Sequence, residues 1–328
     1  MKKIILSLFL ALMATTGLYA QQISVVSSRG STSVYRTLQE AIEGADPGSV
    51  IYLPGGGFTI TDSVKITKKL TIIGIGHYSK SGNVDGVTTI SGNLWFNEGS
   101  SGSAVMGCYI TGNVNIGDGG ASVNDILIRY CNLNSVQVKN STCQETVVNQ
   151  NYIRSGLNAT QAKVEITNNV IKYISNLDGG FISNNIITKG YLSGNYYYHL
   201  HNVYNSVITG NIFLKSESIG SSSTSYNNSA LGNMGWTTFS IDEKYINLKD
   251  INSSAPFVNY NSGTISPTSD FHFKEAYSQY ENQVGIYAGT GFNDQQIAPV
   301  PYIVAKRVDE QTDASGKLNV KIRVKAGE

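Results

Sequence analysis

The sequence predicts an all-β fold in the form of a parallel β-helix, and three observations lead there. A six-residue pattern recurs: apolar, any, small or Asn, Asn or Cys, any, apolar. Its fourth position falls at Cys108, Cys131, Asn151, Asn169, Asn185 and Asn211, at intervals of 23, 20, 18, 16 and 26 residues. A period near 20 with variable insertions is the mark of a solenoid. The units are rich in β-branched residues and Asn, which favours strands and turns over helix. They are also shorter than the roughly 33 residues of a helical-hairpin repeat. Leucine-rich repeats share the period but need a Leu framework that is absent. Coils of short strands remain.

The elements follow in order. Lys2 and Lys3 precede an apolar run from Ile4 to Leu12, and Leu18-Tyr19-Ala20 precedes Gln21. This is the pattern of a secretory signal peptide over residues 1–20, cleaved after Ala20. The run is shorter than the roughly 20 apolar residues that cross a bilayer, and no later segment is apolar enough to do so. The mature chain is therefore expected outside the cytoplasm: secreted, periplasmic or on the cell surface, with no transmembrane segment.

Thr37-Leu-Gln-Glu40 reads as a capping box that opens a short helix. Leu38, Ala41, Ile42 and Ala45 form its apolar face, and Asp46-Pro47-Gly48 stops it. Such a helix would cover the N-terminal end of the coil, whose strand edges are otherwise open. Val50 to Leu53 is the first strand, Pro54 to Gly57 a turn, and Val64 to Ile66 and Leu70 to Ile72 continue the coils. The pattern Ile90-Ser-Gly-Asn93-Leu-Trp95 is expected in the same column as Cys108. Second strands are expected at Val114 to Ile116, Val136 to Val138 and Ile174 to Leu177. The column residues are expected at a corner, where Asn tolerates the left-handed conformation and bonds its own image in the next coil. They form a structural ladder: Cys108, Cys131, Asn151, Asn169, Asn185 and Asn211.

Residues 216–229 are Ser/Asn-rich and read as a loop. After Gly291 the composition changes, and Pro299 and Pro301 bracket a linker. Tyr302 to Val308 and Leu318 to Val324 alternate around Asp313-Ala-Ser-Gly316, as a β-hairpin does. The domain reading is thus 1–20 signal peptide, 21–292 β-helix, and 293–328 linker and C-terminal β-hairpin tail.

Here a resemblance becomes specific. Ser33 to Ile42, Gly48 to Gly55 and Leu70 to Gly76 resemble the opening segment of pectin-lyase-like β-helix proteins. Ser254 to Tyr260, Asp270 to Lys274 and Gly285 to Gly289 resemble the closing segment of exported right-handed β-helix proteins of the Bacteroidetes type. The resemblance implies a right-handed single-stranded parallel β-helix with a short N-terminal capping helix. It speaks to fold more than to activity. The fold hosts lyases, hydrolases, esterases and adhesins, so activity must come from a site. The Asp-Asp, His-Gly and Arg-Ile-Lys signatures of polygalacturonases are absent.

A formal net charge of +1 with 14% charged residues excludes an electrostatic nucleic-acid binder. Three cysteines are too few for a disulfide scaffold, and the in-register pair Cys108 and Cys131 is expected to stay reduced. Glu145 and Glu165 lie twenty residues apart, one coil, and are expected as solvated acids on an outer face. Tyr191, Tyr196, Tyr197, Tyr198, His199, His201 and Tyr204 crowd the longest interval, between Asn185 and Asn211. They are expected to bulge from the coil, either as an aromatic stack inside or under the insertion or as exposed rings that stack on sugars. A Tyr/His pair there could also move a proton in a polysaccharide lyase. His199 and His201 lack nearby acidic or Cys partners, so no metal and no cofactor is expected. The leading expectation is a non-catalytic β-helix protein that binds glycan or a surface partner along its flank. The alternatives are a polysaccharide lyase or glycoside hydrolase on an acidic or plant-type polysaccharide, and a structural or adhesive subunit.

Overall fold

The computed structural model describes residues 22–62, 64–78, 86–193, 195–214, 219–220, 227–248, 250–252, 254–260, 265–294, 296–298, 302–308, 317 and 320–325. The expected signal peptide, most of the expected loop at 216–229 and the turn at Asp313 to Gly316 lie outside them. Two long sheets dominate, and the architecture is consistent with a β-helix. In the first sheet the strands Ser49–Leu53, Leu70–Gly74, Ala104–Met106, Leu127–Arg129, Thr146–Asn149, Val164–Thr167, Phe181–Ser183, Val207–Thr209 and Ser229–Leu231 follow one another in spatial order. All of these pair in parallel. Ile23–Val26 and Thr32–Tyr35 finish the N-terminal edge as an antiparallel hairpin.

After each first-sheet strand the chain turns and joins the second sheet, then returns. A one-coil advance therefore stacks each strand on its sequence-repeat image. Ile72, Val105, Ile128, Val148, Ile166, Ile182 and Ile208 form one inward stack in register, all buried. These inward stacks form a single continuous core. A helix, Leu38–Gly44, joins it through Leu38, Ala41 and Ile42. Thr37 accepts from the Glu40 N–H at 3.1 Å, and the Glu40 carboxylate accepts from the Thr37 N–H at 3.2 Å.

The column residues are linked by buried side-chain amides. Asn169 Oδ1 accepts from the backbone N–H of Asn151 at 2.9 Å and from its Nδ2 at 3.0 Å. Asn185 does the same for Asn169, and Asn211 for Asn185. Each Nδ2 also reaches two carbonyls, one in its own coil and one in the coil before; for Asn169 these are Thr167 O and Val148 O. At the start, Cys131 N–H donates to Asn151 Oδ1 at 2.9 Å. The Cys131 thiol donates weakly to Arg129 O and Val105 O, the carbonyl positions that an Asn Nδ2 takes in later coils. Two further members extend the column. Asn211 bonds Asn233 in the same manner, and Asn233 donates from its N–H and Nδ2 to the Asp242 carboxylate, both at 2.7 Å. Cys108, Cys131 and Cys143 are buried and form no disulfide. Burial pushes the Cys131 thiol up to about 12.

Three details differ from the sequence reading. The left-handed residue is not the ladder Asn but the one before it: Gly107, Tyr130, Gln150, Asn168, Asn184 and Gly210 have φ between 53° and 65°. That residue makes the corner, which frees the ladder side chain to point inward. Asn93 belongs to another corner. Ser91 pairs with Thr59 in the second sheet, and Asn93 Oδ1 accepts from Asn113 N–H at 2.7 Å, while Ser135 Oγ donates to Asn113 Oδ1. Gly56 and Gly57 are in a strand, Gly56–Thr59, rather than a turn.

The C-terminal segment returns along the outside. Phe257–Asn259 and Asp270–Phe273 pair antiparallel. Phe257, Phe271, Val284, Ile286 and Phe292 cover an outward row of the second sheet, in register through Tyr152, Val170, Ile186 and Ile212. From 283 the chain runs back over the left-handed corner as a strap. Gly285 N–H donates to Gly210 O at 2.7 Å, Asn168 Nδ2 to Ile286 O and Ala288 O, and Asn293 N–H to Gln150 Oε1. Ile297 and Ala298 remain buried beyond the boundary expected at Phe292. Tyr302–Val308 and Val320–Lys325 pair antiparallel.

A histidine clasps the strap. The His272 ring stacks on Tyr287 at 3.7 Å between centroids, Nδ1 meets Glu281, and Nε2 lies 3.5 Å from Asp294, which also accepts from Tyr287 Oη. Burial lowers its pKa, but Glu281 and Asp294 outweigh this and hold it above the ordinary 6.5.

Two predictions follow from these contacts. Asn169→Leu or Asn185→Leu leaves the preceding ladder N–H buried without its acceptor, at a cost of about 1–3 kcal/mol. Chemical denaturation should show that loss in both variants, and an unchanged midpoint in both would contradict the ladder. The His272 contribution is complete below pH 6.5 and fades as pH rises through the raised folded value. The melting midpoint of Glu281→Gln should therefore fall less than that of the wild type between about pH 6 and 8; equal slopes would contradict the clasp.

Candidate functional site

Asn185 to Asn211 is the longest interval because it carries an extra hairpin. Tyr191–Ser193 pairs antiparallel with Tyr196–Tyr198 in a small sheet of its own, outside both long sheets. The chain then rejoins the second sheet through Leu200–Tyr204, in register with Ile174 to Asp178. The rings at the hairpin are open to solvent: Tyr196 is 66% exposed, Tyr197 39% and Tyr191 36%. Leu192 between them is 54% exposed.

The rings also touch one another and the coil beneath. Tyr191 lies 4.7 Å from the His201 ring and 5.1 Å from Tyr173, Tyr198 lies 5.8 Å from His201, and Tyr196 lies 6.5 Å from Tyr198. Lys189 Nζ stands 5.5 Å from the Tyr197 centroid. Tyr173 stands over Gly156, its register partner, where any Cβ would collide with the ring. Burial pulls the His201 pKa down and so favours the uncharged ring beside Tyr191 and Tyr198.

The structure separates the other expected residues. His199 is fully buried, packs 5.6 Å from Phe213, and its Nε2 donates to Leu214 O at 2.7 Å. It belongs to the core and not to the exposed ring surface, a correction to the sequence reading. Regular alternation would place His199 and His201 on one face, but the strand starts at Leu200, so alternation does not reach back to His199. Tyr204 lies past the bend at left-handed Asn202, on the stretch that leads to the next face. Tyr173 was missed because nothing local marks it; its position opposite Gly156 is a matter of coil register.

The opposite flank carries the acids. Glu145 and Glu165 are both exposed, as expected, and share a cleft of about 320 Å³ with Asp125, Lys163 and Phe181. A longer groove of about 560 Å³ adjoins it, with Arg129, Asn149, Thr167 and Ser183 on its floor and Gln283, Gly289 and Thr290 of the strap on its wall. Among the described residues no three His, Cys, Asp or Glu side chains are grouped to hold a metal ion. No helix of the described residues is long and apolar enough to cross a membrane. Searches against protein families, curated proteins and solved structures find no match.

The two aromatic positions separate by experiment. His199→Ala removes a core ring and orphans Leu214 O, so it should destabilise the protein by about 2–4 kcal/mol. Tyr196→Ala should leave the unfolding free energy within about 0.5 kcal/mol of the wild type. Equal losses would show that the hairpin rings are core.

Proposed function

We propose that this is an exported right-handed parallel β-helix protein of the pectin-lyase-like kind that binds glycan through the tyrosine hairpin and does no chemistry on it. The observation that carries the reading is the exposure of Tyr191, Tyr196 and Tyr197 on a hairpin outside both long sheets. Exposed rings standing together mark an interaction surface rather than a packing need. A tyrosine offers an apolar face for a sugar ring and a hydroxyl for its polar edge. The non-catalytic part rests on His199: the ring that could have moved a proton is turned into the core and bonded to a carbonyl. The signal-peptide pattern supports export.

A second reading has its own observation. Glu145, Glu165 and Asp125 line one cleft with Lys163 on the opposite flank, and paired carboxylates are what a glycoside hydrolase needs. One experiment separates the two. The intact protein is titrated with a panel of soluble polysaccharides, and the same mixtures are assayed for reducing ends and unsaturated products. Each lost stacking contact is worth about 0.5–1.5 kcal/mol, so the double variant Tyr196→Ala, Tyr197→Ala should weaken binding by roughly tenfold with no product from either protein. Product release that disappears in Glu145→Gln or Glu165→Gln would overturn the non-catalytic reading. A wild type that binds nothing in the panel would overturn the hairpin reading.

A further inference from the structure

The C-terminal strands Tyr302–Val308 and Val320–Lys325 form a two-stranded sheet of their own, outside the two long ones. Together they carry five cations, Lys306, Arg307, Lys321, Arg323 and Lys325, and no acid. The register sets Arg307 directly opposite Lys321. Like charges in that position destabilise a pair of strands, and an isolated two-stranded sheet is marginal at best. Lys321, Ile322, Arg323 and Val324 are all exposed, and the two aliphatic residues are 54% and 56% open to solvent. Alternation puts Lys321 and Arg323 on one face and Ile322 and Val324 on the other. Such a sheet gains from an anionic surface laid against its basic face.

The same chain offers that surface. Its body is the acidic part of the molecule: residues 21–301 hold 16 Lys and Arg against 19 Asp and Glu. Asp125, Glu145 and Glu165 are exposed around a cleft floored by Val147, Val164 and Phe181. The ion pairs among the described residues join Lys65 to Asp118 and His272 to Glu281 and Asp294. The three acids of the flank, Lys163 beside them, and Lys321 and Arg323 of the C-terminal sheet take no part in these pairs. The spacings of the two surfaces match. Glu165 pairs with Val147, so Glu145 and Glu165 lie one coil and two residues apart, about 8 Å, and Lys321 and Arg323 lie two residues apart, about 7 Å. Phe181 and Val207, in register beyond Glu165, are 40% and 44% exposed and continue the flank as an apolar strip.

We propose that the C-terminal sheet of one copy docks on the acidic flank of a second copy, with Lys321 and Arg323 facing Glu145 and Glu165. The contact joins two different patches and is therefore heterologous. Each added copy brings a free sheet and a free flank, so the contact propagates into a ring or an open chain. Because the paired charges are exposed in the single chain, salt weakens the contact. The inference is independent of the glycan reading, which concerns the tyrosine hairpin.

The test is sedimentation equilibrium of the intact protein at about 0.02 M and about 0.5 M salt, between which the Debye length falls from about 20 Å to about 4 Å. The weight-average mass should be at least twofold that of a single chain at low salt and fall to one chain at high salt. The double variants Lys321→Glu, Arg323→Glu and Glu145→Lys, Glu165→Lys should each sediment as single chains at low salt. An equimolar mixture of the two should associate again, because each reversed surface then meets its opposite. Lys321→Gln, Arg323→Gln is a gentler change that should also give single chains, and it serves if a reversed variant fails to fold. A wild type that stays a single chain at low salt overturns the proposal and leaves the cations as guards of the sheet edges. If that single chain sediments with phosphatidylglycerol vesicles, the basic sheet belongs to a lipid surface instead. Association that persists in either reversed variant, or a mixture that stays dissociated, overturns the pairing of these two surfaces.

Discussion

The structure depends on a column of side-chain amides buried in the wall of the coil. Parallel coils of 16 to 26 residues could slip against one another, because their inward stacks of Val, Ile and Leu are chemically alike. A slip of one residue would expose every inward side chain. The ladder resists this by direct bonding between coils. Each Asn accepts at Oδ1 from the backbone N–H of the ladder residue one coil earlier and donates from Nδ2 to a carbonyl of that coil. A shifted coil would leave those groups buried and unmet, which costs more than the bonds themselves contribute. The column is also satisfied at its far end: Asp242 accepts from Asn233 N–H and Nδ2, from Gly232 N–H and from Lys244 N–H. A ladder that stopped at Asn233 would leave its amide facing nothing.

The left-handed corner that makes the ladder possible has a second use. Because the residue before each Asn takes positive φ, the side chains of Asn168 and Gln150 point away from the core, toward the strap. The C-terminal segment reads that edge over several coils and finishes beside His77, whose Nε2 meets Gln296 Oε1 at 3.2 Å. The strap thereby divides the surface. On one side it covers the apolar row of the second sheet, and on the other it forms the wall of the groove beside Arg129 and Glu165. The tyrosine hairpin stands apart from both, in a small sheet of its own outside the two long ones.

Much of this was legible in the chain. The recurring hexapeptide located the ladder from Cys108 to Asn211, because each of these coils pairs bracketing apolar residues with a buried Asn or Cys at the corner. Asn233 was missed because its pattern ends on Gly235 rather than an apolar residue, and Asp242 because the last interval is only nine residues. Asn93 fits the pattern but occupies another corner, since a Gly-Asn turn is equally useful at either bend. The exposed rings of Tyr191, Tyr196 and Tyr197 stand where the longest insertion suggested a departure from the coil. The inward turn of His199 and the pairing of Asn293 with Gln150 were not legible. The first depends on where a strand begins, and the second joins residues 143 positions apart with no local signature.

Native-state hydrogen exchange of the ladder amides tests the central claim most directly. The backbone N–H groups of Cys131, Asn151, Asn169, Asn185 and Asn211 should exchange only through global unfolding, with protection that is uniform along the column and above that of exposed loop amides. Rapid exchange at these five positions, while the inward strands stay protected, would show that the amides do not hold the coils in register.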